Sequence, residues 1–303
     1  MTTFSGPAQF FWRATSAVLR RSGHLLSTLG TDAYFRSLPK LSPLEATTIQ
    51  RNSIFHNKHK GERCFVIGNG PSIKQQNLDP LRDEKTFVVN GFWKHPRVRE
   101  SQPTYYFICD PIFFDGSEES INFFKDLRNH IVDSHFFVPA RSLMSVVEGK
   151  LLPPESTSYI AFNGRTLGEN AADEFDLTSP VPGVQTVPQL AMLAAIYMGF
   201  SQIYLLGLDH DWLARLQPGG YNFFEGLTMN HPHALSERGP YDMEMKSMLK
   251  VWQGYHALNA KARESGSQIF NATHGGFLDV FPRVSYESLV AQGRDKVLET
   301  VIV

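Results

Sequence analysis

Four short apolar runs in this chain each stop at a glycine or a polar residue. The runs are Cys64–Ile67, Thr86–Val89, Thr104–Cys109 and Ile203–Leu206, and the residues that follow them are Gly68, Asn90, Asp110 and Gly207. Runs of this length and composition are typical of strands that are buried on both faces, as in a parallel sheet. Since such sheets bind ligands at the carboxyl ends of their strands, the pattern predicts a cleft lined by these terminal residues.

The segments between the runs carry helical signals. Helices are predicted over residues 118–130, 186–198 and 242–264, and further strands over 135–138 and 268–271. The stretch 186–198 is apolar all round, so we expect that helix to be buried. The alternation of strands and helices predicts an α/β, Rossmann-like fold, with a mainly parallel sheet and helices on both faces.

The chain is predicted to divide into a helical extension, residues 1–60, and a single Rossmann-like domain, residues 61–303. A Gly-, Pro- and aromatic-rich segment, 212–240, is predicted to form a lid toward the C-terminal end. Arginines interrupt the apolar residues of 8–29, which argues against a secretory signal. This segment either packs on protein or lies on an anionic membrane surface, and the sequence leaves both open.

Composition excludes several classes of protein. The 303 residues carry a formal net charge of -1, which does not suit a sequence-independent nucleic-acid binder. No run approaches the ~20 apolar residues that span a bilayer. The only cysteines, Cys64 and Cys109, lie inside predicted strands, so we expect buried thiols and a reducing, cytoplasmic compartment.

The turn Gly68-Asn69-Gly70-Pro71-Ser72 is the first candidate binding site. Its glycines allow a ligand to approach the backbone closely. Ser72 is predicted to cap a following helix, with Gln75 completing a capping box, and the helix N-terminus would then attract a phosphate or carboxylate. The turn matches neither the dinucleotide fingerprint nor a Walker loop, and a tight turn without a ligand is the alternative.

Two polar residues at neighbouring strand ends are further candidates. Asn90 offers both donors and an acceptor, which suits a base edge or a ribose, and Asp110 accepts from ribose hydroxyls. Either side chain would alternatively cap a turn. In the helix 186–198, Thr186 is predicted as the N-cap and Gln189 as its capping-box partner.

Two loop sequences carry histidines. His231 and His233 lie in the predicted lid, where a histidine near a strand-end cleft is suited to act as general base. Metal binding or a solvated loop are the alternatives. Asp209-His210-Asp211 has the spacing of a metal-binding Asp-x-Asp, but Asp209 directly follows a strand end and also suits a structural role in the cleft.

Four blocks of sequence resemble a known protein family in their order and spacing. The blocks are Ile67–Ile73, Val89–Phe92, Cys109–Pro111 and Met198–Asp209. Over roughly residues 62–290 the chain resembles the bacterial sialyltransferases of glycosyltransferase family 42. The same blocks, with the ending from Asn271 to Val284, are similar to a wider bacterial group related to the archaeal 6-hydroxymethylpterin diphosphokinase.

The sialyltransferase resemblance implies roles for individual residues. The residues that would bind the nucleotide part of a CMP-sugar are Asn69, Gly70, Ser72, Asn90, Asp110, Thr186 and Asp209. Asp110 stands where that family has asparagine, which puts the ribose or base contact in doubt. Of a phosphate-contacting tyrosine pair only Tyr221 is present, because Asp211 occupies the other position. His231 or His233 would be the general base.

The resemblance also implies a function. The chain would be a metal-independent glycosyltransferase that moves a sugar, favoured as an acidic sugar from CMP, to a glycan or glycolipid acceptor in lipopolysaccharide or capsule synthesis. No cofactor is then needed beyond the nucleotide-sugar substrate. An ATP- and Mg²⁺-dependent diphosphokinase and a non-catalytic nucleotide-binding scaffold are the alternatives. Homo-oligomers and contact of the N-terminus with the inner face of a membrane are left open.

Overall fold

Seven parallel strands form the main sheet of the computed structural model, which describes residues 40–169, 174–214 and 241–291. In chain order they are β1 (Arg63–Ile67), β2 (Lys85–Val89), β3 (Tyr105–Phe107), β4 (His135–Pro139), β5 (Thr157–Ile160), β8 (Gln202–Leu206) and β9 (Gln268–Asn271). Their order across the sheet is β5-β4-β3-β2-β1-β8-β9. The chain therefore builds outward from β1 to one edge and returns to lie on the other side of β1.

Helices cover both faces of this sheet. The α-helices are α1 (Pro43–Gln50), α2 (Glu118–His130), α3 (Leu143–Glu148), α4 (Val187–Tyr197), α5 (Tyr241–Glu264) and α6 (Tyr286–Ala291). Short 3-10 helices span Arg51–Phe55, Pro71–Gln75, Asp79–Leu81, Asn90–Lys94, Pro96–Arg99, Pro111–Phe114, Ala140–Ser142, Pro154–Ser156 and Trp212–Ala214. The predicted Rossmann-like α/β fold is thus confirmed.

The alternation of side chains along each strand separates two hydrophobic cores. On β1, Cys64 and Val66 point to the face covered by α4 and α5, while Phe65 and Ile67 point to the face covered by α2 and α6. Every residue of α4 from Gln189 to Tyr197 is buried. This confirms the prediction for the helix that is apolar all round.

The part of the predicted extension that the structure describes packs against the sheet. The compact unit begins at Leu41. The Asn52 side chain donates to the carbonyls of Tyr159, at 2.7 Å, and Leu177, at 2.9 Å. The helix predicted at 8–29 lies outside the described residues, and the division at residue 60 stays a prediction.

A second, two-stranded sheet was not predicted. It pairs β6 (Phe162–Thr166) with β7 (Val181–Gly183) in parallel, with a register shift. Glycine, proline and half-exposed polar residues in these strands hide the usual alternating pattern. Tertiary packing, rather than local preference, therefore forms this sheet.

Two further expectations have clear outcomes. Cys64 and Cys109 are buried and unpaired, as predicted, and burial raises the pKa of the Cys64 thiol. No helix in the described part of the chain combines the length and the apolar character needed to cross a bilayer.

Candidate functional site

The candidate site is a cleft of about 720 Å³ at the carboxyl edge of the sheet. It lies where β1 and β8 are neighbours, which is the point where the strand order reverses and where open α/β sheets bind ligands. Of the predicted binding residues, six line it: Asn69, Gly70, Asn90, Asp110, Thr186 and Asp209. The terminal residues of distant runs therefore meet at one cleft, as the sequence pattern predicted.

The turn after β1 is held against the turn after β8. The N–H of Gly70 donates to the carbonyl of Gly207 at 2.8 Å. A Cβ atom on Gly70 would lie 1.8 Å from Asp209 Oδ2, and one on Gly68 would lie 2.5 Å from the Gly207 carbonyl oxygen. Glycine is required in this turn because the backbone of Gly207 and the carboxylate of Asp209 occupy the positions that side chains would need.

Ser72 does not have the capping role that the sequence predicted. The segment after the turn is a five-residue 3-10 helix, Pro71–Gln75, whose N-cap is Gly70. Ser72 lies inside it, and both its N–H and its hydroxyl donate to the carboxylate of Asp209, at 3.1 and 2.8 Å. The predicted capping box with Gln75 is wrong, and the anion at this helix start is the protein's own carboxylate.

Asn69 and Asn90 line adjacent parts of the cleft. The Asn69 amide donates to the carbonyl of Val89 at 3.0 Å, which leaves Oδ1 as its other polar atom. Asn90 has a left-handed backbone, with φ of 46°, and its carbonyl accepts a 2.6 Å hydrogen bond from the Tyr106 hydroxyl. Asparagine tolerates this conformation better than most residues, which explains its place at this strand end.

Buried polar atoms without hydrogen-bond partners are concentrated in the cleft. Among the described residues there are nine such side-chain atoms, and five belong to residues that line this cleft: Asn69 Oδ1, Asn90 Oδ1, Thr186 Oγ1, His210 Nδ1 and Glu244 Oε2. Buried polar groups are nearly always hydrogen-bonded, so a cluster of exceptions requires an explanation. Water or a polar ligand in the cleft would supply the missing partners.

The two predicted carboxylates make different contacts. Asp110 Oδ1 accepts from the N–H of Ile112 at 3.2 Å and caps the 3-10 helix Pro111–Phe114. Asp209 is 7% exposed and binds Ser72. Within the described ranges, no three His, Cys, Asp or Glu side chains cluster as metal ligands would.

The loop before α4 brings Thr186 to the cleft in a way that the sequence did not indicate. Thr186 is the N-cap residue, but its side chain makes no capping hydrogen bond. Gln189 instead accepts from the N–H of Gln185 at 3.0 Å and donates to the carbonyl of Val251 at 2.8 Å. The predicted capping box is therefore wrong, and a fully buried Gln189 ties this loop to α5.

His210 is a cleft residue to which the sequence assigned no binding role. It lines the cleft with a left-handed φ of 49°, and its Nε2 lies 2.6 Å from the Tyr255 hydroxyl. Burial lowers its pKa to about 4, an effect that Asp211 partly opposes. The only sequence signal was its position in the polar triplet after a strand-end glycine.

The predicted catalytic residues His231, His233 and Tyr221 lie outside the described residues, as does most of the predicted lid 212–240. Their roles stay predictions. The described part of that lid is the 3-10 helix Trp212–Ala214, and Trp212 lines the cleft.

Solved sialyltransferase structures are similar to part of this chain. CstII from Campylobacter jejuni in complex with the substrate analogue cytidine-5'-monophosphate is 15% identical, with a TM-score of 0.43, over 72% of this chain and 83% of that chain. Its complex with CMP-3FNeuAc is 13% identical, with a TM-score of 0.41, over 69% of this chain and 80% of that chain. A complex of CST-II with trisaccharide acceptor and CMP is 15% identical, with a TM-score of 0.38, over 69% of this chain and 80% of that chain. No family model matches the chain, and no curated protein matches it significantly.

Proposed function

We propose that this chain is a glycosyltransferase that uses a nucleotide-sugar, favoured as an acidic sugar carried by CMP. The acceptor is a glycan or glycolipid of the cell surface. The proposal rests on the cleft at the point where the strand order reverses. In the described part of the chain, buried polar atoms without hydrogen-bond partners are concentrated in this cleft. The four sequence blocks that resemble family 42 coincide with the strand ends that form this cleft.

The chemistry of the lining suits a nucleotide. The amide oxygens of Asn69 and Asn90 accept hydrogen bonds, and the exocyclic amine of a base and the hydroxyls of a ribose supply donors. Gly68 and Gly70 line the same cleft, so a nucleoside bound there would lie against the turn after β1. This is the part of the proposal that rests on described residues.

The transfer step is assigned to the segment 212–240. His231 or His233 removes the proton of the acceptor hydroxyl as its oxygen attacks the anomeric carbon of the sugar. The bond between that carbon and the phosphate oxygen breaks, and the nucleotide leaves with its electron pair. Tyr221 stabilises the charge that develops on the phosphate. In this proposal neither a metal ion nor a further cofactor takes part.

Calorimetric titration tests the binding part of the proposal. CMP in the presence of EDTA is compared with ATP in the presence of Mg²⁺, on the full chain. CMP binding without metal supports the proposal. Binding of ATP only with Mg²⁺ supports the diphosphokinase alternative instead, and binding of neither overturns both enzyme assignments in favour of another nucleotide or a scaffold.

A matched pair of variants connects this binding to the cleft. Asn90→Ala removes an unsatisfied oxygen in the cleft, whereas Asn52→Ala removes another unsatisfied oxygen on a buried asparagine outside it. We expect Asn90→Ala to weaken CMP binding about tenfold and Asn52→Ala to affect stability only. Equal affinity in both variants would contradict the proposed site.

The catalytic part is tested separately. Replacement of His231 and His233 together by Ala is expected to abolish transfer and to leave nucleotide affinity nearly unchanged. Full activity in this double variant would show that neither histidine is the base.

A cytoplasmic location at the inner face of a membrane is also proposed, and liposome flotation with and without residues 1–40 tests it. Unchanged flotation would exclude that segment as an anchor.

A further inference from the structure

His210 has one ring nitrogen fixed by the protein and the other directed elsewhere. His210 is 9% exposed and lines the cleft. Nε2 is 2.6 Å from the Tyr255 hydroxyl, while Nδ1 is buried and has no hydrogen-bond partner among the described residues. The ring therefore carries an unused polar atom at the cleft.

Aromatic neighbours restrict the orientation of this ring. Its centroid lies 5.3 Å from those of Trp212 and Tyr255 and 5.7 Å from that of Trp252. Trp252 is itself held, because its Nε1 donates to Asp279 at 2.8 Å. Rotation of the imidazole to find another partner for Nδ1 would break the Tyr255 hydrogen bond and this packing.

A second buried histidine in the described part of the chain makes the same contact with a tyrosine. His59 Nε2 is also 2.6 Å from a tyrosine hydroxyl, that of Tyr105, and its Nδ1 lies 3.1 Å from the carboxylate of Glu62. A carboxylate only accepts, so Nδ1 of His59 donates and Tyr105 donates to Nε2. A 2.6 Å contact is short for an N–H donor and ordinary for an O–H donor.

The same distance at His210 indicates the same arrangement, with the Tyr255 hydroxyl donating to Nε2 and the proton on Nδ1. At His59 the donor Nδ1–H is satisfied by Glu62 of the same chain. At His210, a residue that lines the cleft, no described residue accepts from the corresponding donor. An acceptor with negative charge is the partner that such a buried donor binds best.

We propose that His210 is a ligand-contacting residue whose Nδ1–H donates a hydrogen bond to an anionic oxygen of the bound donor, with Tyr255 as the positioning residue. The oxygen belongs to the phosphate or to the carboxylate of an acidic sugar. This assignment rests on the proposed nucleotide-sugar function. Burial lowers the pKa of His210 to about 4, so the imidazole is neutral near pH 7 and binds as a dipole.

Paired substitutions separate the two ring nitrogens. His210→Asn keeps a polar group near the position of Nδ1, and His210→Gln keeps one near Nε2, within reach of Tyr255. We expect His210→Gln to weaken binding of the CMP-linked acidic sugar, which carries both candidate oxygens, at least tenfold and His210→Asn to weaken it less. The control is His59→Gln, which disturbs the equivalent pair outside the cleft and is expected to leave that affinity unchanged.

Three ligands locate the contact in the same titrations. If the phosphate is the acceptor, His210→Gln weakens CMP binding and leaves cytidine binding unchanged. If the sugar carboxylate is the acceptor, only binding of the CMP-linked acidic sugar is weakened. An equal loss for cytidine, or no loss for any of the three, would overturn the proposal while leaving the nucleotide-binding function intact.

Nitrogen NMR of the histidines in the wild-type chain tests the proposal without a variant. We expect the Nδ1–H tautomer at His210 and a shift of this resonance on addition of the CMP-linked acidic sugar. Pyrophosphate is the probe if that ligand does not bind, which by itself contradicts only the proposed function. The Nε2–H tautomer, or an Nδ1–H resonance that neither probe moves, would overturn the assignment for His210.

Discussion

The carboxylate of Asp209, which follows β8, is bound by both the N–H and the hydroxyl of Ser72, which follows β1. The two residues are 137 positions apart in the chain and are 7% and 3% exposed. Their contact joins the two loops that flank the strand-order reversal. A buried carboxylate with two donors stabilises this junction, and the cleft is formed on it.

Truncation of either partner should destabilise the protein to different extents. Ser72→Ala removes one hydrogen bond to a charged group and is expected to cost about 2 kcal/mol in free energy of unfolding. Asp209→Ala removes both bonds and leaves the Ser72 N–H buried without its acceptor, at a cost of about 3 kcal/mol or more. Urea denaturation measures both values. Equal costs would contradict the two-donor contact.

Gly70→Ala should be more damaging than an alanine at an open glycine. The added Cβ would lie 1.8 Å from Asp209 Oδ2, so the carboxylate would have to leave Ser72. Gly116 is the control, since its Cβ would meet nothing within 4 Å and only its φ of 77° makes alanine unfavourable. We expect about 1–2 kcal/mol for Gly116→Ala from the backbone and a larger loss for Gly70→Ala. Similar melting temperatures for the two variants would refute the close approach.

Gln189 should be sensitive to the loss of its amide although it lies in an apolar helix. Gln189→Met keeps the approximate shape but leaves the N–H of Gln185 and the carbonyl of Val251 without their partner, at a cost of about 2–4 kcal/mol. The neighbouring Leu190→Met is the control and should cost less than about 1.5 kcal/mol. Chemical denaturation compares them, and equal costs would show that the amide bonds do not stabilise the fold.

Acid should destabilise the protein partly through His210. Its pKa in the folded state is about 4, below the ordinary value of 6.5, so between these pH values the unfolded chain binds more protons. The stability that neutral His210 contributes is therefore complete above about pH 6.5 and is lost as pH falls toward 4. The full loss in free energy of unfolding is about 3 kcal/mol, and between pH 7 and 4.5 His210→Asn should lose about 2 kcal/mol less than the wild-type chain. Parallel pH profiles for the two proteins would contradict this origin.

Several elements could be predicted from the sequence because local pattern determines them. The strand Gln268–Asn271 and the helix Glu118–His130 have the predicted bounds, and β1 differs by one residue at its start. The run Thr104–Cys109 forms a shorter strand, Tyr105–Phe107, and Cys109 lines the cleft beyond its carboxyl end. Apolar runs and capping residues act over a few positions, which is the range that a sequence pattern reports.

The capping assignments failed for a physical reason. Ser72 and Gln189 have the residue types and spacing of capping boxes, but Asp209 and Val251 offer them partners from distant parts of the chain. A side chain binds the partner that remains after folding has excluded water, and local spacing does not contain that information. The β6–β7 sheet was missed for a related reason, because its pairing depends on neighbours rather than on its own residues.

By itself, the sequence determined the parallel α/β class, the buried central helix and the polar residues that end each strand, because burial and backbone preference depend on the residue types within a short segment. Only the tertiary structure decided which strand ends meet. It placed β8 beside β1, bound Asp209 to Ser72 and turned His210 toward Tyr255. Contacts between residues far apart in sequence depend on strand order and close packing, and these arise from the whole chain.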